Sequence, residues 1–431
     1  MHPVPHPAGL GLCRNETAFV YDDTGTEVYL GILSGIRVID CSTYIAAPAA
    51  ATALSDFGAD VIKIERPPLG DPYRYLSLSP PMPASEHAYC WILEGRNKRS
   101  IALDLNYDEA REALLKLVES ADIFITNYQP PTIAKFRLEY EILNALNPRL
   151  IYGQLSGYGE TGPDVDKPGY DMTAYWARSG LMATMHNAGA DPCQSPPGFG
   201  DHPTSMALFA GILLAMYKRE KTGLGTKVST SLIANGIWSN SCNVQAALAG
   251  ATFAERWSRK TTVNPLVNHY VTRDGHRIIL CCLDVEKDWP RLCQALGLLS
   301  FQSDPRFNCN EARTMNSVEL IALMDAAVGA VDFTELTKRF HELDVIFGIV
   351  PDSEQVSRDL QAEQIGVFAE IADAPGGPIR TVNNPINLRC ETKTPPRFAP
   401  GIGQHTVEIL RSLGYDDSAI QKMLEEGAAK G

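Results

Sequence analysis

Between Ile36 and Glu65 the chain passes through a short apolar segment, Ile36–Asp40, an alanine-rich stretch, Pro48–Phe57, a glycine at 58, and a second apolar segment, Val61–Glu65. The first and last read as strands, the middle as a helix stopped by Gly58. A strand, a crossover helix and a strand in so short a span make a parallel unit, for which a right-handed crossover is expected. The pattern then repeats: strand Ile101–Leu105, helix Glu109–Glu119, strand Asp122–Thr126, helix Tyr140–Leu146, strand Leu150–Ser156. The N-terminal half is therefore expected to be a Rossmann-like α/β sheet.

Such a sheet invites a dinucleotide, and Glu65 ends the second strand where an acid would meet a ribose hydroxyl. The chain after the first strand, Cys41-Ser42-Thr43-Tyr44-Ile45-Ala46-Ala47-Pro48, lacks the Gly-x-Gly-x-x-Gly that lets a pyrophosphate approach a helix N-terminus. Nicotinamide chemistry falls to a minor alternative.

At 431 residues the chain is too long for one ordinary domain. A large α/β domain is expected over 29–201, continued by a linker at 202–239, a small α+β domain at 240–335, a second linker at 336–375 and a return to the large domain at 376–431. The small domain starts from a hairpin signal, Asp274-Gly275 between apolar runs. Residues 1–28 read as an extension without the features of a signal peptide. The apolar run Met206–Tyr217 is about half of what a bilayer span needs and reads as a buried helix.

A net charge of -13 disfavours nucleic acid and anionic membranes as partners. Ten cysteines without any Cys-x-x-Cys pair read as reduced, mostly buried thiols of a cytoplasmic protein. Nine histidines show no metal-ligand spacing, so no metal is expected.

The stretch Leu150–Met182 carries the chemistry. A strand runs into the glycine-rich turn Ser156-Gly-Tyr-Gly, a proline-marked loop follows, and Asp171 then opens an apolar helix after Gly169-Tyr170. An acid there is a nucleophile or simply a helix cap satisfying free backbone amides. On pattern alone the cap is the commoner outcome.

The ordered set of short motifs resembles the family III CoA-transferases, the group that includes formyl-CoA transferase, carnitine CoA-transferase and the α-methylacyl-CoA racemases. The matching stretches are Gly35-Ile-Arg-Val-Ile-Asp40, Phe57–Arg66, Gly70-Asp71-Pro72-Tyr73-Arg74, Asn97–Ser100, Asn147–Tyr152, Gly169-Tyr170-Asp171, Lys221–Gly225 and Gly403-Gln404-His405-Thr406. Each alone is weak; together, in family order, they cover about residues 35–415. The resemblance implies an interlocked homodimer of ring-like subunits. It also implies coenzyme A as the thioester substrate, a carboxylic acid as the other, and Asp171 as the nucleophile. By the same resemblance Arg66, Arg74, Asn97, Lys98, Arg99 and Met206 would contact CoA, with Lys135 and Arg137 as further candidates. Tyr44, Ile45, Ala46 and Tyr170 would border the acyl group.

Oxalate-type relatives carry a glutamine where this chain has Ile45, and an apolar wall there favours acyl groups with hydrocarbon or aromatic character. The glycine-rich covering loop of formyl-CoA transferase is not recognisable after Ala249. Tyr44-Ile-Ala-Ala-Pro, Ala177-Arg-Ser-Gly and Gly198-Phe-Gly-Asp-His202 are similar to the branch acting on 2-hydroxy or aryl-substituted acids, such as phenyllactate CoA-transferase. Three other readings stand beside transfer. A racemase would need a histidine partner, and the residue before the acid is Tyr170, not the histidine of racemases. An acyl-CoA hydrolase would let water capture the intermediate. A non-catalytic CoA-binding scaffold would not require Asp171.

Overall fold

The computed structural model describes residues 31–80 and 82–431, with the backbone of Phe19–Tyr21 and Glu27–Tyr29. Those two segments pair antiparallel; the remainder of the expected extension over 1–28 lies outside the described residues.

The chain divides into two compact units: Met1–Met182 with Gln194–Val244 and Gly366–Gly431, and Ala183–Cys193 with Gln245–Ile365. The first holds six parallel strands: β1 (Arg37–Cys41), β2 (Asp60–Glu65), β3 (Lys98–Leu103), β4 (Ile123–Thr126), β5 (Ile151–Ser156) and β6 (Thr226–Ser231). Their order across the sheet is β3-β2-β1-β4-β5-β6, and Ala429–Lys430 adds an antiparallel piece outside β3. The order reverses between β1 and β4, which makes their carboxyl ends the place where loops diverge and a crevice opens.

Side-chain alternation builds a core on each face. Ile39, Ile62, Ile101 and Phe124 point to one side, joined by Leu114 and Leu117 and by Ile409, Leu410, Ile420 and Met423 from the C-terminal helices. Val38, Val61, Ile123 and Ile151 point to the other, against the alanines of α1 (Ala46–Asp56) and against Leu208 and Ile212 of α2 (Asp201–Thr222). Being buried on both faces is why these strands read as continuous apolar runs. Alanines along α1 let the two helices approach closely, and Phe57 stacks on Phe209 with ring centroids 6.2 Å apart.

The second unit has its own core around Tyr270, Ile278, Trp289, Phe307 and Phe340. Strand Arg277–Leu280 pairs antiparallel with His269–Val271 across the expected Asp-Gly turn. Its other edge pairs with Phe347–Ile349, which ties the chain beyond residue 335 to this sheet.

The cysteine expectation needs correction. Cys390 is disulfide-bonded, and of the eight free cysteines described, Cys193, Cys242, Cys281 and Cys309 are exposed. Only Cys41, Cys90, Cys282 and Cys293 sit in buried positions. Among the described residues, no helix is long and apolar enough to cross a membrane and no cluster of three or more potential metal ligands occurs.

Candidate active site

The loop after β5 leaves and returns at the same point. A Cβ on Gly157 would lie 2.6 Å from the Gly169 Cα, and the converse distance is also 2.6 Å, so only two glycines let the backbones cross there. The pinch delivers Tyr170 and Asp171 back to the carboxyl end of the sheet. Asp171 then opens a widely wound turn, Asp171–Ala177, of the π type that recurs at functional sites.

Asp171 does not cap its own turn. Both carboxylate oxygens lie 3.0 Å from the backbone nitrogen of Gly200, the residue that precedes α2. The carboxylate therefore faces the positive end of a 22-residue helix from a distant part of the chain. Burial pushes its pKa up, opposed by the backbone donors at Gly200, Asp201 and Gly198 and by the charge of His202. Gly200 has an ordinary φ of -98°. What requires glycine is space, since a Cβ would sit 2.2 Å from the Tyr175 ring and 2.5 Å from Asp171 Oδ1.

The next two residues of α2 face the same region. Asp201 is 9% exposed, and burial followed by the Asp171 charge pushes its carboxyl up to about 7. His202 lies with Nδ1 2.9 Å from the Gly198 carbonyl oxygen and Nε2 2.8 Å from Glu94 Oε1. A carbonyl accepts only, so Nδ1 donates; Nε2 then donates to the buried Glu94 carboxylate, which makes the ring an imidazolium. Burial pulls the His202 pKa down, but the Glu94 partner outweighs it and the group stands at about 9.

A cleft of about 1070 Å³ opens over these groups, bordered by Tyr44, Ile45, Ala46, Asn127, Tyr170, Asp171 and Asp201. Asn127 braces the switch point between β1 and β4. Its Oδ1 accepts from Thr43 N at 2.9 Å and its Nδ2 donates to Thr43 O at 2.8 Å. Tyr44 is held at φ 64°, an unusual conformation for a residue with a side chain, by Asp71 Oδ1 accepting from its backbone N at 3.1 Å. Asp71 Oδ2 in turn pairs with buried Lys63 at 2.9 Å. The Tyr44 ring meets Tyr170 edge-on with centroids 6.1 Å apart. A second cleft of about 990 Å³ lies at the ends of β2 and β3 and shares Thr43, Tyr128 and Thr132 with the first.

The structure thus brings Tyr44, Ile45, Ala46, Tyr170 and Asp171 to one cleft and Arg66 with Lys135 to the other. The remaining expected CoA contacts border neither. Lys98 is fully enclosed, donating to Asp40 Oδ2 and Pro48 O at 2.8 Å each. Arg99 pairs with Asp60 and Glu408, and Asn97 Oδ1 accepts from Arg397 N at 2.7 Å. The cause is direction: these residues start β3, at the sheet edge opposite the carboxyl ends where the clefts open. Arg74 spends its guanidinium on Glu65, at 2.7 and 2.6 Å, with its face 3.7 Å from the centre of the Trp91 ring. Glu65 also accepts from Ser100 Oγ and Asp71 N, which leaves it no capacity for a ribose. Met206 packs half-buried against the α2 side of the core, and Arg137 is exposed.

Sequence reasoning gave no role to Gly200, Asp201, His202 or Glu94. One signal was available: Glu94 is an acid inside the apolar helix Tyr89–Gly95, and a buried acid demands a partner.

Fold and site together define a class, a doubly wound parallel α/β protein whose switch-point cleft presents a carboxylate at a helix N-terminus. Residues 33–406 match the sequence profile of CoA-transferase family III. The chain is 34% identical to the (R)-2-hydroxy-4-methylpentanoate CoA-transferase of Clostridioides difficile, over 90% of this chain and 97% of that one. It is 32% identical to the cinnamoyl-CoA:phenyllactate CoA-transferase of Clostridium sporogenes, over 91% and 96%. A CAIB/BAIF family protein from Brucella suis superposes with a TM-score of 0.78 at 27% identity, covering 89% of this chain and all of that one. The chain belongs to CoA-transferase family III and, with it, is an enzyme that moves CoA between an acyl thioester and a carboxylic acid.

Proposed function

We propose that transfer runs through a covalent intermediate on Asp171, and that the acids exchanged are 2-hydroxy or aryl-substituted monocarboxylic acids. The observation that carries the first part is the Asp171 carboxylate, drawn into a cleft and held by Gly200 N–H at the start of α2. A carboxylate oxygen attacks the thioester carbonyl carbon, the C–S bond breaks, and CoA leaves as thiolate with a mixed anhydride behind it. The thiolate then attacks the aspartyl carbonyl, the C–O bond breaks, and the donor acid departs as carboxylate. Asp171 is left as the CoA thioester, which the acceptor carboxylate discharges by the same steps in reverse. No proton is gained or lost, and the thioester free energy is kept provided water stays out.

Support for the acyl class comes from the wall of Tyr44, Ile45 and Tyr170 and from the substrates named for the two clostridial relatives. CoA would enter through the second cleft, with Arg66 and Lys135 toward its phosphates. A racemase reading gains nothing from His202, because neither ring nitrogen is free to take an α-proton. Self-association as an interlocked homodimer has support in the large apolar side chains left exposed at Leu214, Tyr217, Trp238 and Leu248. The test is Asp171→Asn. Transfer should fall by at least about 1000-fold, and hydroxylamine should form an adduct at residue 171 in the native enzyme with acyl-CoA and none in the variant. Full transferase activity in the variant would end the proposal.

A further inference from the structure

Of the carboxyl groups that border the acyl cleft, Asp171 and Asp201 act on each other's charge, and only the first of these two has a protein donor. Asp171 receives the Gly200 N–H, whereas no side-chain or backbone donor among the described residues reaches the Asp201 carboxyl, although it is nine-tenths buried and borders the cleft. Nor is a spare cation at hand. His202 follows it on the same helix, but its charge is matched by Glu94 at 2.8 Å on the Tyr89–Gly95 helix. The charged groups acting on Asp201 are Asp171, His202 and Glu94, and Tyr73 from the Pro72–Leu78 segment also senses it. A buried carboxyl with no donor and a carboxylate for a neighbour keeps its proton. The group borders the cleft, and the carboxylate that acts on it most strongly is Asp171.

The transfer reaction supplies a receiver. Each half-reaction releases or captures a carboxylate beside residue 171 at the moment when Asp171 is itself an uncharged thioester. We propose that Asp201, as a carboxylic acid, binds the carboxylate of the departing and arriving acid by donating a hydrogen bond to it. This rests on the reading of Asp171 as the nucleophile. The bond is O–H to O⁻, among the shorter and stronger kinds, and it fails once Asp201 ionises, because two carboxylates then face each other. The neutral thioester at 171 removes one of the charges that holds the proton on Asp201. With Asp171 charged, burial and that charge push the Asp201 carboxyl up to about 7; with the thioester formed, ionisation comes at a lower pH.

The experiment is the KM for the acceptor acid at saturating acyl-CoA, from pH 5.5 to 8.5, in the native enzyme, Asp201→Ala and Asp201→Asn. The native KM should be flat in acid and rise about tenfold per pH unit once Asp201 has ionised. Asp201→Ala should show a KM raised roughly 10–100-fold at low pH and no further rise. Asp201→Asn keeps an N–H donor without a titrating proton, so it should stay within severalfold of native at low pH and bind the acid more tightly than native at high pH. That crossover is a result a structural role would not produce. A native KM flat over the whole range, an alanine variant with native KM at low pH, or an asparagine variant that behaves like alanine would each overturn the proposal. Should the alanine variant not fold, the asparagine crossover decides alone. Hydroxylamine trapping separates the two readings. An adduct at Asp171 with a pH-flat KM refutes only the role of Asp201, while no adduct in the native enzyme refutes the role of Asp171.

Discussion

Adding one methyl group at the start of α2 should disable the enzyme while leaving it folded. In Gly200→Ala the new Cβ would arrive 2.2 Å from Tyr175 Cγ and 2.5 Å from Asp171 Oδ1, well inside contact distance. The backbone conformation suits alanine, so the whole effect is steric. Tyr175 cannot swing aside, because its ring is buried and its hydroxyl lies 2.7 Å from Ser239 Oγ. The yielding part is therefore the Asp171 carboxylate or the first turn of α2, and either movement breaks the Gly200 contact at 3.0 Å. A hydrogen bond to a charged group is worth about 1.5–3 kcal/mol, which corresponds to a roughly 10–150-fold loss in kcat/KM. Overpacking costs a further 1–3 kcal/mol or so of stability, a fall of several degrees in Tm. Initial rates of CoA transfer and a thermal melt read both. Gly223→Ala serves as the control at the other end of the same helix. Gly223 sits at φ 73° with nothing within 4 Å of an added Cβ, so that change should lower Tm slightly and leave kcat/KM alone. A Gly200→Ala enzyme within twofold of native activity would refute the steric reasoning.

The cations should separate by function. Arg66→Ala should raise the KM for acyl-CoA about tenfold without moving Tm, as expected for an exposed phosphate contact. Lys98→Met should do the reverse, because it leaves Asp40 short of a partner in a sealed site and costs about 3–5 kcal/mol, read as a lower denaturation midpoint. The Glu94–His202 pair gives a pH signature in stability. The folded pKa of His202, about 9, lies above its usual value, so the stabilisation is complete below about pH 6.5 and is lost as pH rises through 9. Urea midpoints compared at pH 6 and pH 10 should fall more steeply in the native protein than in Glu94→Gln.

Much of this architecture was readable because β1, β2 and β4 are buried on both faces and so announce themselves as valine and isoleucine runs. Strand β6 and the helix Leu232–Ser239, inside the stretch expected as a linker over 202–239, were not, since Ser229-Thr-Ser231 carries no apolar rhythm and the cap, Ser231 Oγ accepting from Ala234 N, is a local event. Asp171 could be singled out from its motif, but its partner at Gly200 could not, being 29 positions away and reached only through tertiary folding. Glu94 and His202 are 108 positions apart, and nothing local links them. The lysine and arginine that start β3 show the limit in another way: the resemblance offers both as CoA contacts, whereas tertiary folding encloses Lys98 with Asp40 and sets Arg99 in a half-exposed pair with Asp60.

The α/β unit is written in three separate stretches of chain, with Gln245–Ile365 folded as another unit in between. During synthesis the six parallel strands are therefore complete once Ser231 has emerged, yet the edge piece Ala429–Lys430 and Ile409, Leu410, Ile420 and Met423, which cover one face of the sheet, are still to come. At about 5–20 residues per second that wait lasts on the order of 10–40 s, with Ile39, Ile62 and Ile101 lacking their final cover. The nascent chain is most vulnerable to chaperone capture and to aggregation in that interval, and slow codons between positions 245 and 365 would lengthen it.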